Sequence, residues 1–129
     1  MDIQVKFPGG KRVDAVLGDR VVHTDQSVAG GGEASAPEPF QLFLASLATC
    51  AGIYVLGFCQ SRGLPTEGLS LVQRHTYDDA TRRLTRVALE VVLPPGFPDK
   101  YRNAVIQAAE GCKVKKLLAA SPEIIVTAS

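Results

Sequence analysis

Three thiols stand out as the reactive groups of this chain: Cys50, Cys59 and Cys112. Cys50 and Cys59 lie in the apolar stretch "ASLATCAGIYVLGFCQSRG", residues 45–63, and Cys112 lies in "EGCKVKKLL". A thiolate is a nucleophile, and two thiols within reach can cycle through a disulfide. An odd count of cysteines does not make a complete intrachain disulfide framework. Cys50 and Cys59 are nine residues apart on one expected helix, which is about 900° of rotation, so they face opposite ways and cannot join within a straight helix. Cys59, between Phe58 and Gln60, reads as a packing thiol, a small buried hydrophobe. Cys112 follows Gly111 and opens a short segment carrying Lys113, Lys115 and Lys116. A helix start beside cations favours a thiolate, and the same position also suits a cysteine that merely fills a helix junction; spacing leaves both readings open. Cys50 has no helix end of its own, so as a nucleophile it needs a cation from elsewhere, for which Arg12 and Arg20 are candidates.

Other chemistries find less support. His23 and His75 fall in separate expected strands without a CxxC or HxxxH pair, so they read as sheet-face histidines and no metal is expected. A Cys-His-Asp hydrolase has no local signature. Gly30 to Gly32 are not followed by GK[ST] and read as a flexible connector, so no nucleotide or other cofactor is expected. The formal charge is +1, which supplies no basic field for nucleic acid. With 46% hydrophobic and 21% charged residues the composition is that of a globular domain, one in number at 129 residues. "MDIQVKF" reads as a strand, not a targeting segment, and unpaired thiols suit the cytoplasm.

The elements that must hold these thiols follow from periodicity. Alternation predicts strands at 3–7, 11–18 and 20–25, with turns at "PGG" (8–10) and Gly18-Asp19, forming an N-terminal meander. A Gly/Ala/Ser/Pro loop covers 27–39. Glu38-Pro39 opens a long helix that runs to about Arg62, stopped by Gly63 and Pro65. Two further strands at 69–78 and 84–94 make a hairpin through "DATRR" (79–83). A helix capped by Asp99 runs to Gly111, a short helix covers 112–121, and "PEIIVTA" (122–128) predicts a final strand. Strands and helices come in blocks, which is an α+β arrangement. No charge occurs between Glu38 and Arg62, a gap long enough for a membrane span. Pro39, Gln41, Ser46, Thr49, Gly52 and Gly57 within it favour a helix buried in protein instead. A chain of this size can hardly surround such a helix, so burial across a dimer interface is expected.

The order of parts, with "APEPFQLFLASLATC" and "EGCKVKKLL", resembles the OsmC/Ohr family of osmotically inducible and organic hydroperoxide resistance proteins. The matching positions are Gly30 to Gly32, Pro39, Gln41, Leu42 and Ala45 to Cys50, then Cys112, Val114 and Leu118. The resemblance implies an intertwined homodimer with the central helices packed together. It implies a peroxidase in which Cys50 attacks a hydroperoxide or hydrogen peroxide, Cys112 resolves the sulfenic acid to a disulfide, and an external thiol or dithiol reduces it. Two positions depart from the pattern. Phe40-Gln41 stands where the family carries a glutamate that holds an activating arginine; Gln41 can hydrogen-bond an arginine, and Arg20 is a nominee. Lys113 follows the second cysteine in place of a frequent proline and is a candidate source of positive charge. The alternatives are a non-catalytic dimer that binds a small apolar ligand at the subunit interface, and a thiol-based sensor.

Overall fold

The computed structural model describes residues 1–129, which part into two compact units, 1–45 and 46–129. The first unit is the expected meander. β1 (Gln4–Gly9), β2 (Arg12–Leu17) and β3 (Arg20–Thr24) form an antiparallel sheet in the order β1-β2-β3. The register pairs Val5 with Ala15 and Ala15 with Val22, and slips between Lys6 and Gly9. Thr24 closes the far end by donating its hydroxyl to the Val13 carbonyl at 2.5 Å.

The Gly-rich loop is not a loose connector. Asp25, 1% exposed, accepts hydrogen bonds from the backbone N–H groups of Gln26 (2.7 Å), Glu33 (3.3 Å) and Ser35 (3.1 Å) and from the Ser35 hydroxyl (2.6 Å). Those donors, the Ser35 hydroxyl first, hold its carboxyl down to about 2 against the desolvation that raises it. Gly32 is needed here because a Cβ would collide with the Gln26 carbonyl and lie 2.7 Å from the Asp25 carboxylate. Glu38 ties the loop's other end by accepting from the Ser27 N–H at 3.3 Å.

α1 (Pro39–Ser61) starts in the first unit and supplies the spine of the second. Proline at its first position needs no N–H partner. Its end is a Schellman stop: the Gly63 N–H meets the Gln60 carbonyl at 3.3 Å and the Leu64 N–H meets the Cys59 carbonyl at 2.9 Å. Gly63 takes φ +62°, a left-handed conformation costly for a residue with a side chain.

The second unit adds the antiparallel hairpin β4 (Ser70–Tyr77) and β5 (Leu84–Val92), then α2 (Arg102–Glu110) and α3 (Lys113–Ala119). Its core is centred on fully buried Val55, Cys59 and Val105, with Phe58, Leu64, Leu69, Leu71, Val91, Leu93, Phe97 and Ala109 packed around them. Burying a side chain such as Val105 contributes about 1.5–3 kcal/mol.

Two expectations need correction. Asp99 does not cap a helix: it begins a 3-10 turn (Asp99–Tyr101) ahead of α2, with no side-chain capping bond. Residues 122–128 form no strand; a strand needs a ladder partner, and none pairs with this stretch, leaving Ile124, Ile125 and Val126 at 82%, 72% and 90% exposure. As expected for a chain of this size, α1 is not enclosed by the chain itself: Phe40, Phe43, Ile53 and Tyr54 stay exposed.

Candidate active site

Cys50 shares one face of α1 with Ile53, Tyr54, Gly57, Phe58 and Ser61. The intervals of three and four residues stack these positions into a single stripe. With Lys113 they line a cavity of about 600 Å³. All but Lys113, Ser61 and the thiol itself are apolar, aromatic or without a side chain. Phe58 forms a fixed wall. The Arg62 guanidinium lies 3.7 Å from its ring centroid, Tyr101 meets it edge-on at 6.1 Å, and Arg62 Nη1 donates to the Phe58 carbonyl at 3.2 Å.

The first turn of α3 meets this stripe at the sulfur. The Cys50 thiol receives the backbone N–H of Val114 and of Lys113, is hydrogen-bonded to the Cys112 side chain, and feels the Lys113 charge. The Val114 N–H is the strongest of these. Desolvation pushes the other way, and the balance lowers the thiol below its ordinary value. Cys112 itself is 1% exposed and is the N-cap of α3, its sulfur accepting the Lys115 N–H at 3.3 Å. The first three N–H groups of α3, which no helical carbonyl can satisfy, are thus all turned to sulfur. No disulfide joins the two cysteines in this structure.

Of the residues nominated from sequence, the fold brings Cys50, Cys112 and Lys113 together. The expectation that no helix end serves Cys50 is overturned, because the serving end belongs to α3 and not to α1. Gln41 does something else: its side-chain carbonyl accepts the Glu38 N–H at 2.9 Å, the return bond of a capping box. Arg20 lies exposed on β3 opposite Leu17, and Arg12 donates to the Gly9 carbonyl at 3.3 Å; neither is among the groups that perturb Cys50. Cys59 is buried at 0% exposure in the core, where desolvation pushes its thiol up against the opposing charge of Arg62. His23 pairs with Asp14 at 3.0 Å and His75 with Gln73 at 2.7 Å, on different sheets. The lining residues Ile53, Tyr54, Gly57, Phe58 and Ser61 were not nominated, although their helical spacing from Cys50 marked them.

The sequence matches the OsmC family, described as OsmC-like protein, over residues 30–127. The chain belongs to the OsmC-like family. The match takes in α1, both cysteines of the site and the hairpin between them. Solved structures share the fold. An osmotic-stress-induced and detoxification-response protein from Psychrobacter arcticus superposes with a TM-score of 0.74 at 22% identity, over 88% of this chain and 85% of that one. An OsmC-like protein from Mycoplasma pneumoniae has a TM-score of 0.69 at 14% identity, over 93% and 87%. An organic hydroperoxide resistance protein OsmC from Legionella pneumophila, described as a "predicted redox protein, regulator of sulfide bond formation", has a TM-score of 0.58 at 18% identity, over 93% and 90%. No curated protein matches. Helix α1 is long and apolar enough to cross a membrane, yet it lies inside the matched region of a family whose fold is a soluble domain type.

Proposed function

We propose that this OsmC-like protein is a thiol peroxidase that reduces organic hydroperoxides or hydrogen peroxide through Cys50 and Cys112. The supporting observation is the convergence of α3 on the Cys50 sulfur, with Cys112 in hydrogen-bonding contact. The Cys50 thiolate attacks the outer peroxide oxygen, a sulfur–oxygen bond forms and the oxygen–oxygen bond breaks. The product alkoxide takes a proton and leaves as the alcohol, or as water from hydrogen peroxide. Cys50 is then a sulfenic acid. The Cys112 thiol attacks that sulfur, a disulfide forms and water departs, so the pair has given up the two electrons the peroxide gained. An external thiol or dithiol returns them by exchange. The Lys113 charge and the Val114 N–H act first on the thiolate and then on the oxygen it acquires. A reducing compartment such as the cytoplasm keeps the thiols ready.

The working form in this reading is a homodimer. Exposed Ile53 and Tyr54 on α1 leave apolar surface beside the cavity that a second copy can cover. A non-catalytic binder of small apolar ligands is the competing reading, favoured by the apolar lining of the cavity. One titration separates them. Fully reduced protein is treated with one equivalent of cumene hydroperoxide and its free thiols are counted. The peroxidase loses two thiols per chain, with a Cys50–Cys112 peptide on mapping; survival of all three rejects the reaction.

A further inference from the structure

Cys50 and Cys112 touch through their sulfurs without being closed into a disulfide. As ligands, they make a soft donor pair. No carboxylate or imidazole joins them: the chain has no group of three or more His, Cys, Asp or Glu side chains placed to hold a metal. Zinc takes three or four protein ligands, and calcium or magnesium takes oxygens. Two thiolates alone suit a soft monovalent ion that accepts linear coordination, and Cu(I) is the first-row ion that thiolates select. The surroundings favour thiolates. Lys113 and Val114 give their N–H groups to the Cys50 sulfur, and the Lys115 N–H donates to Cys112 Sγ at 3.3 Å. Hydrogen bonds of this kind orient ligands, and ligands must shed their protons to bind. Two thiolates around one Cu(I) carry a single negative charge, which the Lys113 ammonium in the same cavity offsets. Cys112 is buried, and Ile53, Tyr54 and Phe58 line the groove that opens onto Cys50, which limits competing water. Cys59 takes no part, because it is packed against Val55 and Val105 in the core.

We propose that Cys50 and Cys112 form a two-coordinate Cu(I) site. The ion enters between the two sulfurs. Two S–H bonds give way to two S–Cu bonds, both protons leave to solvent, and no electron moves. This is a binding function separate from the peroxidase reading. The two exclude each other in time, since a pair that holds the ion has no free thiol to meet a peroxide.

Transfer of copper from a coloured chelate tests the site apart from peroxide chemistry. Protein reduced and then freed of reductant is titrated anaerobically against the Cu(I)–bicinchoninate complex, whose colour fades as it gives up metal. Wild type and Cys59→Ser are expected to take one Cu(I) per chain. Cys50→Ser and Cys112→Ser, each judged folded by circular dichroism, should lose more affinity than the roughly 10–100-fold that removal of an outer partner costs. Lys113→Gln removes such a partner and should weaken binding about tenfold at unchanged stoichiometry. X-ray absorption of the wild-type complex should show two sulfur neighbours and neither nitrogen nor oxygen. A third sulfur or a nitrogen around the copper overturns the site, as does undiminished binding in Cys112→Ser. Equal affinity in Lys113→Gln also overturns it, because the pair is then an adventitious dithiol only. So does copper held at less than one ion per chain with a change in oligomeric state. If the pair takes Cu(I) while cumene hydroperoxide leaves all three thiols free, the peroxidase reading falls and the metal site stands. If the disulfide forms with peroxide and no Cu(I) transfers, the reverse holds.

Discussion

Cys50 and Cys59 are the same residue on the same helix, nine positions apart, and their surroundings drive their thiols in opposite directions. Cys59 faces Val55 and Val105 inside the core, where nothing stabilises a negative charge and desolvation raises the thiol. Cys50 faces the groove, also partly desolvated, but the first turn of α3 points two N–H groups and a lysine at it. The comparison teaches that helix phase decides which thiol is available, while a second element decides which one is reactive. Hydrophobic surroundings alone would have left both inert.

The largest expected contrast is in peroxide turnover. Cys50→Ser should reduce consumption of cumene hydroperoxide to the rate of buffer. Cys59→Ser should retain it and pay in stability, about 1–3 kcal/mol by urea denaturation, because a buried hydroxyl replaces a thiol among apolar neighbours. Loss of turnover in Cys59→Ser at full stability would reverse the assignment of the two thiols.

A smaller effect is expected at Lys113. Lys113→Gln removes a charge but leaves the backbone N–H groups of residues 113 and 114 in place. The pH profile of Cys50 alkylation by iodoacetamide should shift upward, with a several-fold slower rate at pH 7. A profile identical to wild type would assign the lowering to α3's backbone alone.

The smallest effect is on stability against pH under reducing conditions. The folded state lowers the Cys50 thiol from its ordinary value of 9.0, so the unfolded chain binds more protons between the two values. Stability from this group is present above about 9 and is lost as pH falls through the lowered value. Cys59 has the opposite sign: its contribution is whole below 9.0 and is lost as pH rises through the raised value. Between pH 7 and 9, the stability difference between wild type and Cys50→Ser should therefore grow with pH. Parallel curves over that window would remove the α3–Cys50 interaction from the account.

Much of the architecture was legible because it is local. The alternation at 20–25 became β3, Pro39 and Gly63 marked the limits of α1, and Gly111 ended α2. The misreadings came from partners that the local pattern did not reveal. Pro122 to Ala128 carry strand-forming residues, but a strand exists only with a neighbour to share its hydrogen bonds. Asp25 was read as the last residue of the third strand, and its role emerges only when Glu33 and Ser35 fold back onto it. Gln41 was nominated to hold an arginine and instead closes a capping box three residues away.

By itself, the sequence determined which face of α1 each cysteine occupies, since 3.6 residues per turn is a local property of the backbone. It also determined that a lysine-rich helix begins at Cys112. That this helix starts against Cys50, sixty-two residues away, was decided by the tertiary structure alone. No pattern of neighbouring residues encodes such a meeting, because a hydrogen bond to sulfur depends on where two remote backbones come to rest.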